Sequence, residues 1–180
     1  MKRSIEFPNT CVLDRFETAA GNDIPNCQDL SIMSYDDTAN RLASYKRRYQ
    51  GAEQRTADPT GIYNCHGFVF GAGRTGIEGR DVRMILEDDG YMRVRAEQAM
   101  PGDVVLYIAA DGDVEHSAIL VLPAHKSLST HAVVASKWGN FTEYVHDLPL
   151  CPYSAANVEY WRLSGQPKQL QEESRCLILA

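Results

Sequence analysis

No apolar run in this 180-residue chain approaches the roughly 18 residues that a membrane-spanning helix requires, so no membrane span is expected. The five cysteines, Cys11, Cys27, Cys65, Cys151 and Cys176, are odd in number, widely spread and without a CxxC pair. That pattern fits neither a disulfide framework nor a zinc ribbon, and reduced thiols are expected. Positive charge is scarce. Lys and Arg number 18 against 24 Asp and Glu, a formal net charge of -6. This argues against a nucleic-acid partner held by phosphate contacts, although a local basic patch stays compatible with it. Met1–Pro8 opens with two basic residues and then meets Glu6 and Pro8 without an apolar stretch, so no secretory signal is read there. The expectation is a cytoplasmic product as synthesised, with specialised export or release by lysis left open. There is no internal repeat, no low-complexity tract and no HxxxH spacing. Most of His66, His125, His131 and His146 therefore read as loop or strand-edge residues, with His66 pointing away from the site, and no metal or cofactor is expected.

What is present is ordinary globular composition, 44% hydrophobic and 23% charged. The length fits one domain, which at this size buries roughly 70% of its unfolded surface and needs no covalent or metal staple. Residues 1–35, interrupted by Pro8, Gly21 and Pro25, read as an irregular arm with short strands or turns. Ser34 to Asp37 offers capping side chains for a helix over 37–50, with Leu42, Tyr45 and Tyr49 on one face and basic residues near its end. Ile62–Gly71 reads as the first turns of a buried helix, and 79–89 as a short helix carrying Val82, Ile85 and Leu86. The pattern then switches to strands at 91–95, 104–109, 116–122, 131–138 and 158–163. Residues 60–163 form the core and 164–180 a polar tail. Helices first and antiparallel strands second means α+β.

Cys65 stands at the expected helix start, where the dipole and free N–H groups stabilise a thiolate and can receive an oxyanion. His116 opens an apolar strand after an acidic turn, a position from which an imidazole can serve a helix-borne thiol as base and then acid. Strands 116–122 and 131–137 read as a hairpin that sets His116 opposite Lys137 or Ser136. Ser136 is the first choice to orient the imidazole, with Asn140 and His146 next. Lys137, having only donors, reads as a salt bridge or a substrate carboxylate contact. Trp138 and Trp161 read as core packing or as walls of a groove. Tyr63 reads as a hydroxyl near the thiolate or simple packing ahead of the helix.

These residues resemble the bacterial papain-like amidases and peptidases, of which the NlpC-type and CHAP-type cell-wall enzymes are members. Asn64-Cys65-His66-Gly67-Phe68-Val69 is similar to their Cys-led helix. Met100-Pro101-Gly102-Asp103 resembles their turn before a strand, and His116 stands where their histidine begins the next one. The run Ser136-Lys137-Trp138-Gly139, with His146 and Pro152-Tyr153 beyond it, resembles one in CHAP-like proteins of unassigned role. The similarity covers roughly residues 60–140. It departs from the family in having Asn64 where an acidic residue is usual, and in lacking a clear third site residue. No histidine precedes Cys65, so the order resembles the unpermuted relatives.

The resemblance implies a papain-like fold and a cysteine hydrolase that cleaves an amide bond through a thioester. Cys65, His116 and Ser136 would be catalytic, and Tyr63, Asn64, Lys137 and Trp138 would line the substrate site. Its substrate would be a peptide or a peptidoglycan peptide, as for a secreted effector or lysin, and a cognate inhibitor protein is a partner it allows. An amine in place of water would make the same site an acyltransferase or transglutaminase-like enzyme. A catalytically inert binding module is the third alternative.

Overall fold

The computed structural model describes residues 9–165 apart from 14, 128 and 129. Cys176 and most of the expected tail lie outside them. The arm carries β1 (Thr10–Cys11) and β2 (Asn26–Asp29), followed by α1 (Tyr35–Arg48) and β3 (Glu53–Gln54). The middle of the chain forms α2 (Cys65–Phe70), β4 (Gly76–Ile77), α3 (Gly79–Asp88) and β5 (Tyr91–Val94). The remaining strands are β6 (Val104–Ile108), β7 (Val114–Leu122), β8 (Val133–Lys137), β9 (Glu143–Asp147) and β10 (Val158–Leu163). The architecture is α+β, with two antiparallel sheets. The small one has the order β1-β2-β4 and the large one β3-β9-β8-β7-β6-β10-β5. No helix among the described residues is long and apolar enough to cross a membrane.

α1 begins two residues before its expected start, because Ser34 is the cap. Its Oγ accepts from the Asp37 N–H at 3.1 Å and donates to the Asp37 carboxylate at 2.7 Å. Acidic residues in the first turn and Lys46–Arg48 in the last complement the dipole. α3 buries Val82, Ile85 and Leu86, as its spacing predicts.

All five residues of β6 are buried, and they alternate between two cores. Val105 and Tyr107 join Ala118, Leu120, Val134 and Trp138 on the face covered by Leu42, Tyr45 and Tyr49 of α1. Val104, Leu106 and Ile108 join Val82 and Leu86 of α3 on the other face, beside Val69 and Phe70 of α2. The large sheet is thus sandwiched between helices, not covered on one side only. At its rim, Arg162 clamps the buried Asp103 carboxylate with two 2.7 Å hydrogen bonds, holding the Pro101-Gly102 turn onto β10.

The β7–β8 ladder pairs Leu122 with Val133, Leu120 with Val134 and Ile119 with Ala135, with a shift in the middle. The register runs as far as Ile119 and Ala135, and α2 meets β7 just beyond that pair, at Ser117.

Candidate active site

Asn64 fixes where α2 begins. Its side-chain oxygen accepts from the N–H of Gly67 at 2.9 Å and of Ile77 at 3.2 Å, and its amide donates to the Ile77 carbonyl at 2.7 Å. One carboxamide thus caps the helix and ties it to β4. Gly67 is required by contact. A Cβ there would lie 1.7 Å from the Thr75 carbonyl oxygen, so no other residue fits without moving backbone.

Cys65 lies against β7 just beyond the Ile119–Ala135 pair. Ser117 Oγ donates to the Cys65 carbonyl at 3.1 Å, and His66 Nδ1 lies 3.0 Å from the same hydroxyl. Since the hydroxyl proton goes to Cys65, His66 Nδ1 carries its own proton and donates it. Burial pushes the Cys65 thiol up to about 11, while the N–H groups of Ser117, His66 and Cys65 and the Lys137 ammonium pull the other way. The expected dipole effect is therefore present but outweighed, and the resting group is a thiol.

His116 is wholly buried, and neither ring nitrogen has a hydrogen-bond partner among the described residues. Its ring stacks on Tyr153, with centroids 3.8 Å apart and planes 11° from parallel, and meets the edge of Tyr107 at 5.1 Å. Burial holds it well below the ordinary histidine range, with His66 and His146 adding to the shift. It rests as a neutral imidazole. Tyr153 also lies within electrostatic reach of Cys65, so it covers one group and neighbours the other.

Ser136 does not orient His116 here. Extending the observed register sets Ser136 opposite Ala118, one residue from the expected pairing. Its hydroxyl is 2.9 Å from His146 Nε2 and accepts from Trp138 Nε1 at 3.1 Å. His146 Nδ1 lies 2.8 Å from the Asp147 carbonyl. This is a closed polar chain inside the core. Trp138 is buried there, stacked on Tyr144 at 3.9 Å. Asn140 receives a bond from Arg41 at 3.4 Å.

Lys137 forms no salt bridge among the described residues. It is wholly buried, and its three donors reach the carbonyls of Thr60 at 2.7 Å, Phe141 at 2.8 Å and Gly139 at 3.1 Å. The ammonium lies 4.8 Å from the Tyr63 ring centroid, and the Tyr63 hydroxyl donates to Glu143 at 2.6 Å. Burial lowers Lys137 to about 8, with Glu143 and Cys65 opposing. Lys137 thus lies within electrostatic reach of Cys65, with the Tyr63 ring against its ammonium. Ser117 and Tyr153 are the neighbours that sequence reasoning missed as site residues. Ser117 adjoins His116 in a strand, where alternation already turns the pair to opposite faces. Tyr153 lies far along the chain in a loop, where no periodicity points inward.

Among the described residues, no group of three His, Cys, Asp or Glu side chains is arranged to hold a metal ion, and Cys11, Cys27, Cys65 and Cys151 are free thiols. In comparisons with known proteins, no family model, curated protein or solved structure matches the chain.

Proposed function

We propose that the chain is a papain-like cysteine hydrolase of amide bonds, with Cys65 as nucleophile and His116 as base and then acid. The observation that carries this is His116, a fully buried imidazole with both nitrogens unclaimed among the described residues, next in sequence to the residue whose N–H faces the Cys65 sulfur. A buried polar group left without a partner costs roughly 1–3 kcal/mol, and a proton-transfer role accounts for keeping it free.

In the proposed reaction the thiol proton passes to His116 as sulfur attacks the amide carbon. The N–H groups around Cys65 receive the developing oxyanion. Collapse breaks the C–N bond, the imidazolium protonates the departing amine, and water then hydrolyses the thioester. A peptide, including a peptidoglycan peptide, is the substrate class that the motif resemblance supports.

The stacked Tyr153 favours a second reading, an inert module in which the ring covers His116 and the thiol stays silent. Alkylation by iodoacetamide at about pH 7, below the ordinary thiol pKa of about 8.5, separates the two. Exposed Cys11 and Cys27 serve as internal standards. Expected for the hydrolase is labelling of Cys65 ahead of both, lost in His116→Gln. Labelling of Cys65 behind both, indifferent to that substitution, sinks the proposal.

A further inference from the structure

Cys65 is sealed, yet the surface leading to its helix is not. Three cavities adjoin one another there, of about 480, 330 and 110 Å³. All three are lined by Gly61; the first two also share Asp29 and the last two Asn140. Together they form a continuous groove from α1's first residue to Asn64, the cap of the helix that carries Cys65. Gly61 keeps its floor bare, because a Cβ at that position would lie 2.6 Å from the Asp29 carbonyl oxygen.

The groove has two chemical features. The first is apolar. Ile32 is 96% exposed and Tyr35 86%, and with Leu30 and Ile62 they line the 480 Å³ cavity. Four of the six large hydrophobic side chains exposed among the described residues thus gather on one cleft, a concentration that marks a binding surface. The second is charge. Asp29, Asp58 and Glu78 line the groove, and no Lys or Arg lines any of its three parts among the described residues. Arg41 reaches Asn140 from α1 without lining the groove. The Asp29 carboxylate is held below its ordinary range by the hydroxyl and N–H of Ser31, which keeps it ionised.

We propose that this groove binds a peptide segment carrying both basic and apolar side chains, and delivers it to Cys65. Carboxylates without a cationic neighbour complement lysine or arginine, and the exposed Ile32, Tyr35, Leu30 and Ile62 bury against the apolar side chains. The delivery part rests on the hydrolase reading, whereas the binding part does not.

The test separates them by using the full chain as Cys65→Ala, which cannot form a thioester. Two fluorescently labelled, end-blocked pentapeptides are titrated by anisotropy. They share one phenylalanine and two leucines and differ in carrying two lysines or two glutamates. The lysine peptide is expected to bind about tenfold tighter at low salt, with the preference shrinking in Asp29→Asn/Glu78→Gln and at high ionic strength. Equal affinity, no saturable binding of either peptide, a preference for glutamate, or a preference untouched by the double variant overturns the proposal. So does self-association through this face in sedimentation. Selective binding with an unreactive Cys65 in the wild-type chain would leave the groove standing and remove the hydrolase.

Discussion

Lowering the pH from 7 to 4.5 should cost this protein most of its stability, because three of its histidines are buried as neutral rings. His66 and His146 are each held down to about 4 by burial, and His116 lies well below the ordinary value. The unfolded chain binds those protons near pH 6.5, so between 6.5 and 4 it carries more protons than the folded chain, and stability falls as pH falls. Between pH 7 and 4.5, holding one ring at about 4 in place of 6.5 costs about 2.5 kcal/mol, so His66 and His146 together account for about 5 kcal/mol and His116 adds to it, against a total stability of about 5–15 kcal/mol. Asp29, Asp88 and Glu159, all lowered, act only below their ordinary carboxylate range, and the raised Cys65 acts only in alkali. The intervening window therefore belongs to the histidines. Urea unfolding followed by the fluorescence of buried Trp138, which packs against His146, measures this directly. With a slope of about 2 kcal/mol per molar, the midpoint should drop by about 3 M across the range. His146→Gln should flatten the dependence by about half of that. A midpoint steady to within about 0.5 M would refute the burial of neutral rings as the source of acid sensitivity.

Lys137→Met should destabilise the fold by about 2–4 kcal/mol in urea at pH 7, since it strips a shared donor from three carbonyls; a neutral result would mean the ammonium is dispensable. Lys137 titrates at about 8 when folded and near 10.5 when unfolded, so its contribution rises with pH above 8. Wild type should therefore gain relative to Lys137→Met between pH 8 and 9. Ser136→Ala should cost about 1–3 kcal/mol by leaving Trp138 Nε1 and His146 Nε2 only the long 3.4 Å bond to each other, while leaving His116-dependent alkylation of Cys65 intact. Loss of that alkylation would restore Ser136 to the site. Tyr153→Ala should speed alkylation of Cys65 by about tenfold, with Cys11 and Cys27 unchanged, because exposure both admits reagent and lowers the thiol pKa. An unchanged rate would mean Tyr153 is not the cover.

The helix starts were legible because capping is local. Ser34 and Asn64 each act within three residues of themselves. The apolar strands were legible for the same reason, and β6, β7 and β10 fall within two residues of expectation. β9 was missed because Glu143-Tyr144-Val145-His146-Asp147 mixes charge with an inward histidine whose partner, Ser136, comes from another strand. The register of β7 on β8 was off by one at Ile119 and Leu120 and by two at Leu122, because counting inward from the hairpin ends takes no account of the irregularity between Leu120 and Leu122. One residue of slip sets Ser136 opposite Ala118 instead of Ser117 when the register is extended. Lys137 was misread because its acceptors come from residues 60, 139 and 141, and only folding brings the first of these near. Cys65 and His116 were chosen by their places in the chain, whereas their neutral resting state follows from burial, which no motif expresses.

The double duty of Asn64 has a chemical consequence over time. Asparagine ages by losing its amide nitrogen, and here the nitrogen is the half that donates to Ile77. The aspartate left behind could still cap α2, and as an anion it would do so more strongly. It would also face the Ile77 carbonyl with an acceptor where a donor stood. A stored sample would then loosen first at the seam between α2 and the small sheet, beside Cys65, while the two buried cores kept their packing. Ageing of this one side chain would appear as drifting thiol reactivity before any change in the melting curve.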